Sequence, residues 1–285
     1  MPSCCLPKRL IINADDFGYT AGINRAIFEC ARSGVVTSAT LMASGPAFSD
    51  AISSKHRAQH LAIGAHIVLL DGAPITAADI IGREGAFITR SPLALARIAR
   101  HRTAAAEIEE EAVAQISRIR ASGIEIDHLD THKHTHMFPS VLTPVLRAAR
   151  TAGVTRVRNP FEPPWALSFS RRLHKRGVQV ALLRAALRAN FLRSVKQAGM
   201  ITTSGSIGVT TTGTLDKDLL LHMIKRIPEG TWELVCHPGY ADAELQRSRT
   251  TLIESREIER QALISPEVRD ALKVNGIELI SFANL

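Results

Sequence analysis

Cysteine is scarce in this sequence, and its placement excludes the usual cysteine-based sites. The four cysteines, Cys4, Cys5, Cys30 and Cys236, form no C-x-x-C pair and show no spacing typical of a disulfide framework or a zinc site. A chain with few, scattered cysteines suits a reducing compartment. We therefore expect the protein to be cytoplasmic.

Long apolar runs are also missing. Stretches such as 61–63 and 67–70 are far too short to cross a bilayer. The first twelve residues lack the apolar core and cleavage site of a signal peptide. With 45% hydrophobic and 22% charged residues, the chain has the composition of a globular protein. Its 285 residues fit one large domain, so we predict a single domain over 1–285.

Acidic residues are absent from the interval between His174 and Lys196, where the bases are Lys175, Arg176, Arg184, Arg188, Arg193 and Lys196. Apolar residues alternate with these bases, which predicts a basic amphipathic helix. The plain interpretation is a solvated helix face. The more specific one is contact with an anionic substrate or with the headgroups of an anionic membrane. Although the net charge is +8, no nucleic-acid-binding motif accompanies it, so we expect no nucleic-acid partner.

Short apolar strands alternate with helical segments along most of the chain. The patterns predict strands at 10–12, 35–42, 61–69, 125–129, 154–157, 201–209, 232–236 and 277–282, and helices at 22–32, 46–60, 92–122, 139–151, 216–226, 255–263 and 266–273. This alternation predicts an α/β fold with a mostly parallel sheet, closed or nearly closed into a TIM-type barrel.

Two segments break the alternation. Residues 71–92 are interrupted by glycine and proline and read as a long loop. At about 160–200 three prolines precede the basic stretch, and we predict an inserted, lid-like segment there. The acidic cluster at 107–111, within the predicted helix at 92–122, is interpreted as a solvated face.

Polar side chains occur at or near the ends of four predicted strands. Asp15 and Asp16 follow the first strand, His66 lies in the third, His132 follows the fourth, and His237 follows the penultimate strand. In a barrel of parallel strands these ends meet at one rim. The sequence therefore predicts that these five residues converge.

The densest signal is the histidine-rich run at 126–140, which contains His128, His132, His134 and His136. On an extended chain the alternating histidines at 132–136 would point to one side, because the strand period is two. In a helix, His132 and His136 would share a face. Either geometry gathers imidazoles, and we prefer a functional interpretation to that of a histidine-rich solvated loop.

One carboxylate and two imidazoles from separate strands form a common ligand set for a divalent metal. A second carboxylate could then act as a base and another imidazole as an acid. Each residue also has a structural interpretation. The pair Asp15-Asp16 could cap the following helix, His66 could be a core histidine, and His237 could belong to a turn before Pro238.

Four motifs together resemble the YdjC-like carbohydrate deacetylases. They are NADDFG at 13–18, GAH at 64–66, LDTHKHTHMFP at 129–139 and CHPG at 236–239. The resemblance extends from about residue 8 to the end and is weak at 160–215. It implies a distorted TIM-type barrel and a metal-dependent enzyme that removes N-acetyl groups from amino sugars. The family includes chitooligosaccharide deacetylases and a branch associated with hopanoid biosynthesis.

The resemblance also implies roles for individual residues. Asp16, His66 and His132 match the metal ligands, Asp15 the catalytic base and His237 the general acid. Three more residues are expected to contact substrate or to support the ligands: His134, His136 and Arg158. One divalent ion, zinc or magnesium, is implied. The two imidazoles favour a transition metal, because Mg²⁺ prefers oxygen ligands.

We therefore predict a metal-dependent hydrolase that releases acetate from an N-acetylated amino sugar, with a free oligosaccharide or a glycolipid headgroup as substrate. A barrel phosphoesterase with the same aspartate and histidine site is the alternative. A catalytically silent metal-binding or sugar-binding protein is a third class. The sequence does not fix the oligomeric state, and a homodimer is kept as one expectation.

Overall fold

The fold is that of an α/β protein, described here in a computed structural model. The structure describes residues 6–32, 35–76, 82–83, 86–87, 104–169 and 174–285. The strands are β1 (Lys8–Phe17), β2 (Ser38–Leu41), β3 (Ala62–Ile67), β4 (Gly82–Arg83), β5 (Ala86–Phe87), β6 (Leu129–Thr131), β7 (Gly205–Ile207), β8 (Gly230–Cys236) and β9 (Ile277–Leu279). The helices are α1 (Ala21–Arg32), α2 (Phe48–Ser53), α3 (Ala104–Ala121), α4 (Pro139–Thr151), α5 (His174–Gln197), α6 (Lys217–Ile224), α7 (Ala243–Gln246), α8 (Glu254–Ile264) and α9 (Pro266–Val274).

The main sheet is parallel and has the strand order β6-β3-β2-β1-β8-β7, with β9 paired to the start of β1. Single parallel bridges, Leu129 to Val157 and Arg156 to Ile201, continue the pairing beyond β6. The sheet therefore curls as expected for a distorted barrel. Strand β1 is central and buried from Leu10 to Phe17, because helices and neighbouring strands cover both of its faces.

Local sequence signals account for several features of the helices. Helix α1 buries Ile23 and Ile27 at helical spacing. Helix α4 begins at Pro139, whose missing N–H is not needed in the first turn. The side chain of Asp216 accepts a hydrogen bond from the Leu219 amide at 2.8 Å and caps α6. These predicted helices are confirmed to within about two residues.

Several predicted elements are shorter or divided in the structure. The helix predicted at 46–60 is split into α2 and a 3₁₀ turn at Lys55–Ala58. The strand predicted at 154–157 is reduced to two isolated bridges. Part of the helix predicted at 92–122 and about half of the loop predicted at 71–92 lie outside the described residues, and the described part of that loop contains the antiparallel pair β4–β5.

The interpretation of the acidic cluster as a solvated face is wrong for Glu111. This residue is fully buried in α3. Its carboxylate accepts hydrogen bonds from the amides of Ile75 and Thr76 at 2.8–3.1 Å and from the Gln115 side chain at 2.8 Å. A buried carboxylate needs such donors to offset its lost hydration. Glu111 therefore holds the 75–76 segment against α3.

The segment at 160–200 contains the 24-residue helix α5. Its C-terminal half is anchored by Phe191, which is fully buried. The Phe191 ring packs against Phe161 and His136 at centroid distances of 5.6 and 6.1 Å. That this segment acts as a lid stays a prediction.

The two cysteines in the described part of the chain, Cys30 and Cys236, are buried thiols that form no disulfide. Burial raises the pKa of both well above the ordinary thiol range, so both are held neutral. No helix among the described residues has the length and apolar character needed to span a bilayer. The cytoplasmic location stays a prediction.

Candidate metal site

The residues predicted at the strand ends meet at one cavity of about 370 Å³. Asp15, Asp16, His132, His134 and His237 line it. His66 lies beside them and is almost completely buried. Asp15 and Asp16 end β1, His66 ends β3, and His237 follows β8, so the parallel sheet brings distant parts of the chain to one edge.

Three side-chain atoms form a compact triangle beside this cavity. Asp16 Oδ1 lies 3.2 Å from His132 Nδ1 and 3.5 Å from His66 Nε2, and the two ring nitrogens are 3.3 Å apart. Ligand atoms arranged tetrahedrally about 2.1 Å from one ion are roughly 3.4 Å apart. The three groups are therefore spaced as candidate ligands of one divalent ion.

A bound cation would provide the Oδ1 atom of Asp16 with the partner that it lacks among the described residues. The atom is buried and accepts no hydrogen bond of good geometry from the described residues. A buried carboxylate oxygen without a partner is costly. One carboxylate and two imidazoles are also a typical ligand set for Zn²⁺ and similar ions. The donor set therefore fits a bound cation.

His66 is oriented by a carboxylate that the sequence reasoning missed. Asp130 Oδ1 lies 2.7 Å from His66 Nδ1, on the side of the ring opposite to the candidate ion. Burial alone lowers the pKa of His66, but the negative charge of Asp130 outweighs it and raises the pKa to about 10. Such a carboxylate fixes the ring and makes its other nitrogen a better ligand. An incoming ion must displace the proton from that nitrogen.

Asp16 adopts an unusual backbone conformation. Its φ is 64°, in the left-handed region that aspartate tolerates better than most residues. Its other oxygen, Oδ2, accepts a hydrogen bond from Arg256 Nη2 at 2.5 Å. Burial works against the charged form, but Arg256 outweighs it and holds the Asp16 pKa well below its usual range. Asp16 is therefore an anion with one oxygen held and the other directed at the two imidazoles.

Asp15 has a different environment, because both of its oxygens are occupied. Arg158 donates from Nη1 to Oδ2 at 2.8 Å and from Nη2 to Oδ1 at 2.6 Å. Oδ1 also accepts hydrogen bonds from Asn13 at 3.0 Å and Thr40 at 3.2 Å. Burial opposes ionisation, but the Arg158 guanidinium outweighs it and lowers the pKa of Asp15 far below its usual range. Asp15 is thus an ionised carboxylate at the edge of the candidate metal site.

Arg158 is the centre of a buried ionic cluster. Besides Asp15, its guanidinium forms ion pairs with Asp130 and with Glu233, the latter at 2.7 Å from Nε. All four side chains are buried, and Arg158 is completely inaccessible. Of the two roles expected for Arg158, the geometry favours support of the site over contact with substrate.

The histidine-rich run adopts neither geometry expected from its sequence. Residues 132–137 form 3₁₀ turns, interrupted at Lys133 and His134 by φ values of 56° and 53°. The Thr131 hydroxyl accepts a hydrogen bond from the His136 amide at 3.0 Å and closes the turn. The rings consequently diverge, and within this run only His132 contributes a nitrogen to the triangle.

The other histidines of the run have separate environments. His134 lines the cavity, and burial lowers its pKa to about 3. His136 is fully buried, and its Nε2 lies 3.2 Å from the carbonyl oxygen of Arg158. His128 stacks on Phe282 at 3.8 Å, outside the cavity lining. A side chain at Gly64 would collide with the His128 ring, which explains the glycine there.

His237 lies near Asp15 in the lining of the same cavity. Its Nε2 is 3.9 Å from Asp15 Oδ2. Burial lowers the pKa of His237 to about 4, against the raising effect of the two nearby aspartates, so the ring is neutral near neutral pH. Its backbone amide donates to Glu259 Oε2 at 2.7 Å. Glu259 and Arg256 both come from α8, so one helix supports both His237 and Asp16.

The sequence reasoning missed Asp130, Glu233, Arg256 and Glu259. Asp130 had a signal, since it lies two residues before His132 within a recognised motif. Arg256 and Glu259 had none, because they sit in a helix whose sequence looks like an ordinary charged surface. Their burial arises only from the packing of α8 against the strand ends.

Comparison with known proteins gives a consistent result. The family model described as YdjC-like protein matches residues 9–274. A carbohydrate deacetylase from Geobacillus stearothermophilus is 30% identical over 97% of this chain and 98% of its own. One from Brevibacillus brevis is 29% identical over 97% of this chain and 99% of its own. A solved structure from Enterococcus faecalis V583, described as a candidate cellobiose-phosphate cleavage protein, is 27% identical, with a TM-score of 0.74 and 98% coverage of both chains. This chain belongs to the YdjC-like family.

Proposed function

We propose that this protein is a metal-dependent hydrolase that removes the acetyl group from an N-acetylated amino sugar. The observation that carries the proposal is the triangle of Asp16, His66 and His132 at a cavity also lined by Asp15 and His237. The relatives named carbohydrate deacetylase, similar over nearly their full length, support the reaction and the sugar substrate.

Asp16, His66 and His132 would hold the divalent ion. When bound, the ion would polarise the acetyl carbonyl and make a water molecule more acidic. The two imidazoles favour Zn²⁺ or another transition metal over Mg²⁺. Asp130 holds His66 and Arg256 holds Asp16, each through the ligand's atom that does not face the candidate ion.

Asp15 and His237 would move the proton that hydrolysis releases. Asp15 is ionised at neutral pH and can accept a proton from water, but its lowered pKa means that it holds this proton only briefly. His237 Nε2 lies 3.9 Å from Asp15 Oδ2, and burial lowers the pKa of His237, so its ring is neutral near neutral pH and can take up a proton. The protonated His237 would then donate to the leaving amine.

Acetate release and phosphate release should be measured side by side. The purified protein would be stripped of metal, reloaded with Zn²⁺ or Mg²⁺, and assayed on N-acetylated sugars and on sugar phosphates. We expect metal-dependent acetate release and no phosphate release. Phosphate release alone would establish the second candidate, a phosphoesterase that uses the same aspartate and histidine site. No release of either product from the metal-loaded protein would contradict both functions.

His134 provides a control for the assignment of His132 as a metal ligand. His132→Ala should abolish stoichiometric metal binding, because it removes one corner of the triangle. His134→Ala removes the same ring two residues later, from a position that lines the cavity without joining the triangle. Elemental analysis should find the ion retained in His134→Ala. Full metal content in His132→Ala would refute the assignment.

A further inference from the structure

The interval 163–215 contains basic residues but no acidic ones. The same interval contains eight bases, which are Arg171, Arg172, Lys175, Arg176, Arg184, Arg188, Arg193 and Lys196. Of these bases, Arg193 and Lys196 are exposed and so available to an anionic partner.

Helix α5 carries one continuous exposed face through this interval. Positions 178, 182, 185, 189, 193 and 196 follow each other at spacings of three and four residues, so they form a single stripe along the helix. All six are exposed. Over this span the stripe is about 27 Å long.

The composition of this stripe changes along the helix. Its first part is apolar, with Val178 58% exposed and Leu182 65% exposed, followed by two exposed alanines. Its last part is basic, with Arg193 and Lys196. Neither base has an acidic partner within the part of the chain that the structure describes. Exposed branched side chains are costly in water, and an apolar stretch followed by exposed bases is suited to a surface that is both apolar and negatively charged.

The opposite face of α5 packs against the rest of the protein, so the stripe faces outward. Phe191 and Val195 are buried against the body of the protein. Arg184 points inward and donates to the carbonyl oxygen of Glu162 at 3.4 Å. The exposed stripe is therefore not covered by the chain's own described residues, and it is separate from the cavity lined by Asp15 and His237.

We infer that the exposed stripe of α5 docks on the surface of an anionic lipid bilayer. The apolar first part would enter the boundary between headgroups and acyl chains, and the bases would pair with lipid phosphates. Charge complementarity favours this occupant over a second copy of the chain. A second copy would bring the same positive helix to the interface and repel it.

Vesicle sedimentation tests the inference. We expect the full-length protein to sediment with vesicles of equal parts phosphatidylglycerol and phosphatidylcholine at low salt, and not with pure phosphatidylcholine. Binding should weaken at high salt, because salt screens the attraction. Absence of binding to the anionic vesicles at low salt would overturn the inference.

Two double variants separate the contributions. Replacement of both bases, Arg193→Glu and Lys196→Glu, should weaken vesicle binding by at least about 25-fold, since each base near an anionic surface contributes roughly a factor of five. Replacement of Val178→Ser and Leu182→Ser should weaken it by about tenfold, through loss of apolar burial. Acetate release from a water-soluble substrate should stay unchanged in both, which separates this test from that of the proposed function.

Matched controls exclude a general charge effect. The double variant Arg120→Glu and Lys273→Glu makes the same change in net charge at exposed positions on α3 and α9. Val274→Ser removes an apolar side chain that is 86% exposed. Both controls should bind vesicles like the parent protein. Equal weakening in the charge control would overturn the inference, as would a lipid-independent dimer that Leu182→Ser converts to a monomer.

Discussion

Two adjacent carboxylates at the end of β1 are each backed by a buried arginine, yet the two surroundings differ. Arg158 approaches Asp15 from the strand-edge segment after α4 and binds both oxygens. Arg256 approaches Asp16 from α8 and binds only Oδ2. Asp16 Oδ1 is left facing His66 and His132.

The difference explains how neighbours of the same type can have different roles. A carboxylate with both oxygens held by a guanidinium is fixed and ionised, but it has little capacity left to ligate a cation. A carboxylate with one oxygen held is oriented and still open on the other side. The number of oxygens that each arginine occupies therefore separates a candidate proton acceptor from a candidate ligand.

Exchanging each carboxylate for its isosteric amide is the most severe test of this contrast. Asp16→Asn should lose the metal and with it all activity, because an amide oxygen is a weak ligand. Asp15→Asn should keep the metal and lose turnover by roughly 10²–10⁴-fold, the usual contribution of a positioned acid or base. Metal content and acetate release should be measured on both, with thermal unfolding to verify that each is folded.

The contrast fails if the two variants behave alike. Metal loss in Asp15→Asn with retention in Asp16→Asn would reverse the roles. Full turnover in a folded, metal-loaded Asp15→Asn would exclude Asp15 as the base.

Removing Arg158 should cost the most stability. Arg158→Met leaves the carboxylates of Asp15, Asp130 and Glu233 buried without their shared cation, a loss of about 3–5 kcal/mol in the free energy of unfolding. The surface pair of Arg147 and Glu109, joined at 2.7 Å, provides the control. Arg147→Met should cost less than about 1 kcal/mol. Equal costs in urea unfolding would mean that the buried cluster contributes little.

Removing Arg256 should affect the metal more than the fold. Arg256→Gln leaves Asp16 without the donor that fixes Oδ2, and we expect metal affinity to fall by about 10–100-fold, as for other residues that orient ligands. Arg249→Gln changes an exposed arginine that lines the same cavity and should leave affinity unchanged within about twofold. Calorimetric metal titration measures both. Tighter binding by Arg256→Gln would show that its charge, not its orienting bond, dominates.

The smallest expected effect is on the pH dependence of stability. Burial raises the pKa of Glu259 from its ordinary 4.5 to about 7, although the His237 amide favours the charged form. Because the folded-state pKa is raised, Glu259 lowers stability as pH rises from about 4.5 through 7. Glu259→Gln should remove about 2 kcal/mol of the stability loss between about pH 5 and pH 8. Unfolding midpoints compared at about pH 5 and pH 8 test this, and an unchanged slope would contradict it.

The sequence could predict elements and strand ends because those signals are local. Apolar periodicity acts over a few residues, and the helices predicted at 139–151 and 216–226 appear in the structure as α4 and α6. The placement of Asp15, Asp16, His66, His132 and His237 around one site also followed, since the ends of parallel strands meet at one edge. The four motifs identified the family correctly.

The conformation of the histidine-rich run could not be predicted from local sequence patterns. Its alternation allowed an extended or a helical geometry, but left-handed conformations at Lys133 and His134 send the rings apart. Those conformations are stabilised by contacts such as the bond from the His136 amide to Thr131, together with packing against β6 and α4. No periodicity in the sequence encodes that turn.

The sequence by itself thus determined which residue types reach the site and from which strands. Only the tertiary structure decided how many oxygens of each aspartate are occupied, because Arg158 and Arg256 lie more than a hundred residues from β1 in the chain. It also decided that Glu111 is buried and that one stripe of α5 is exposed. These outcomes depend on packing between distant parts of the chain. That packing sets both the burial of a side chain and its hydrogen-bond partners, and the local spacing of residues does not predict either.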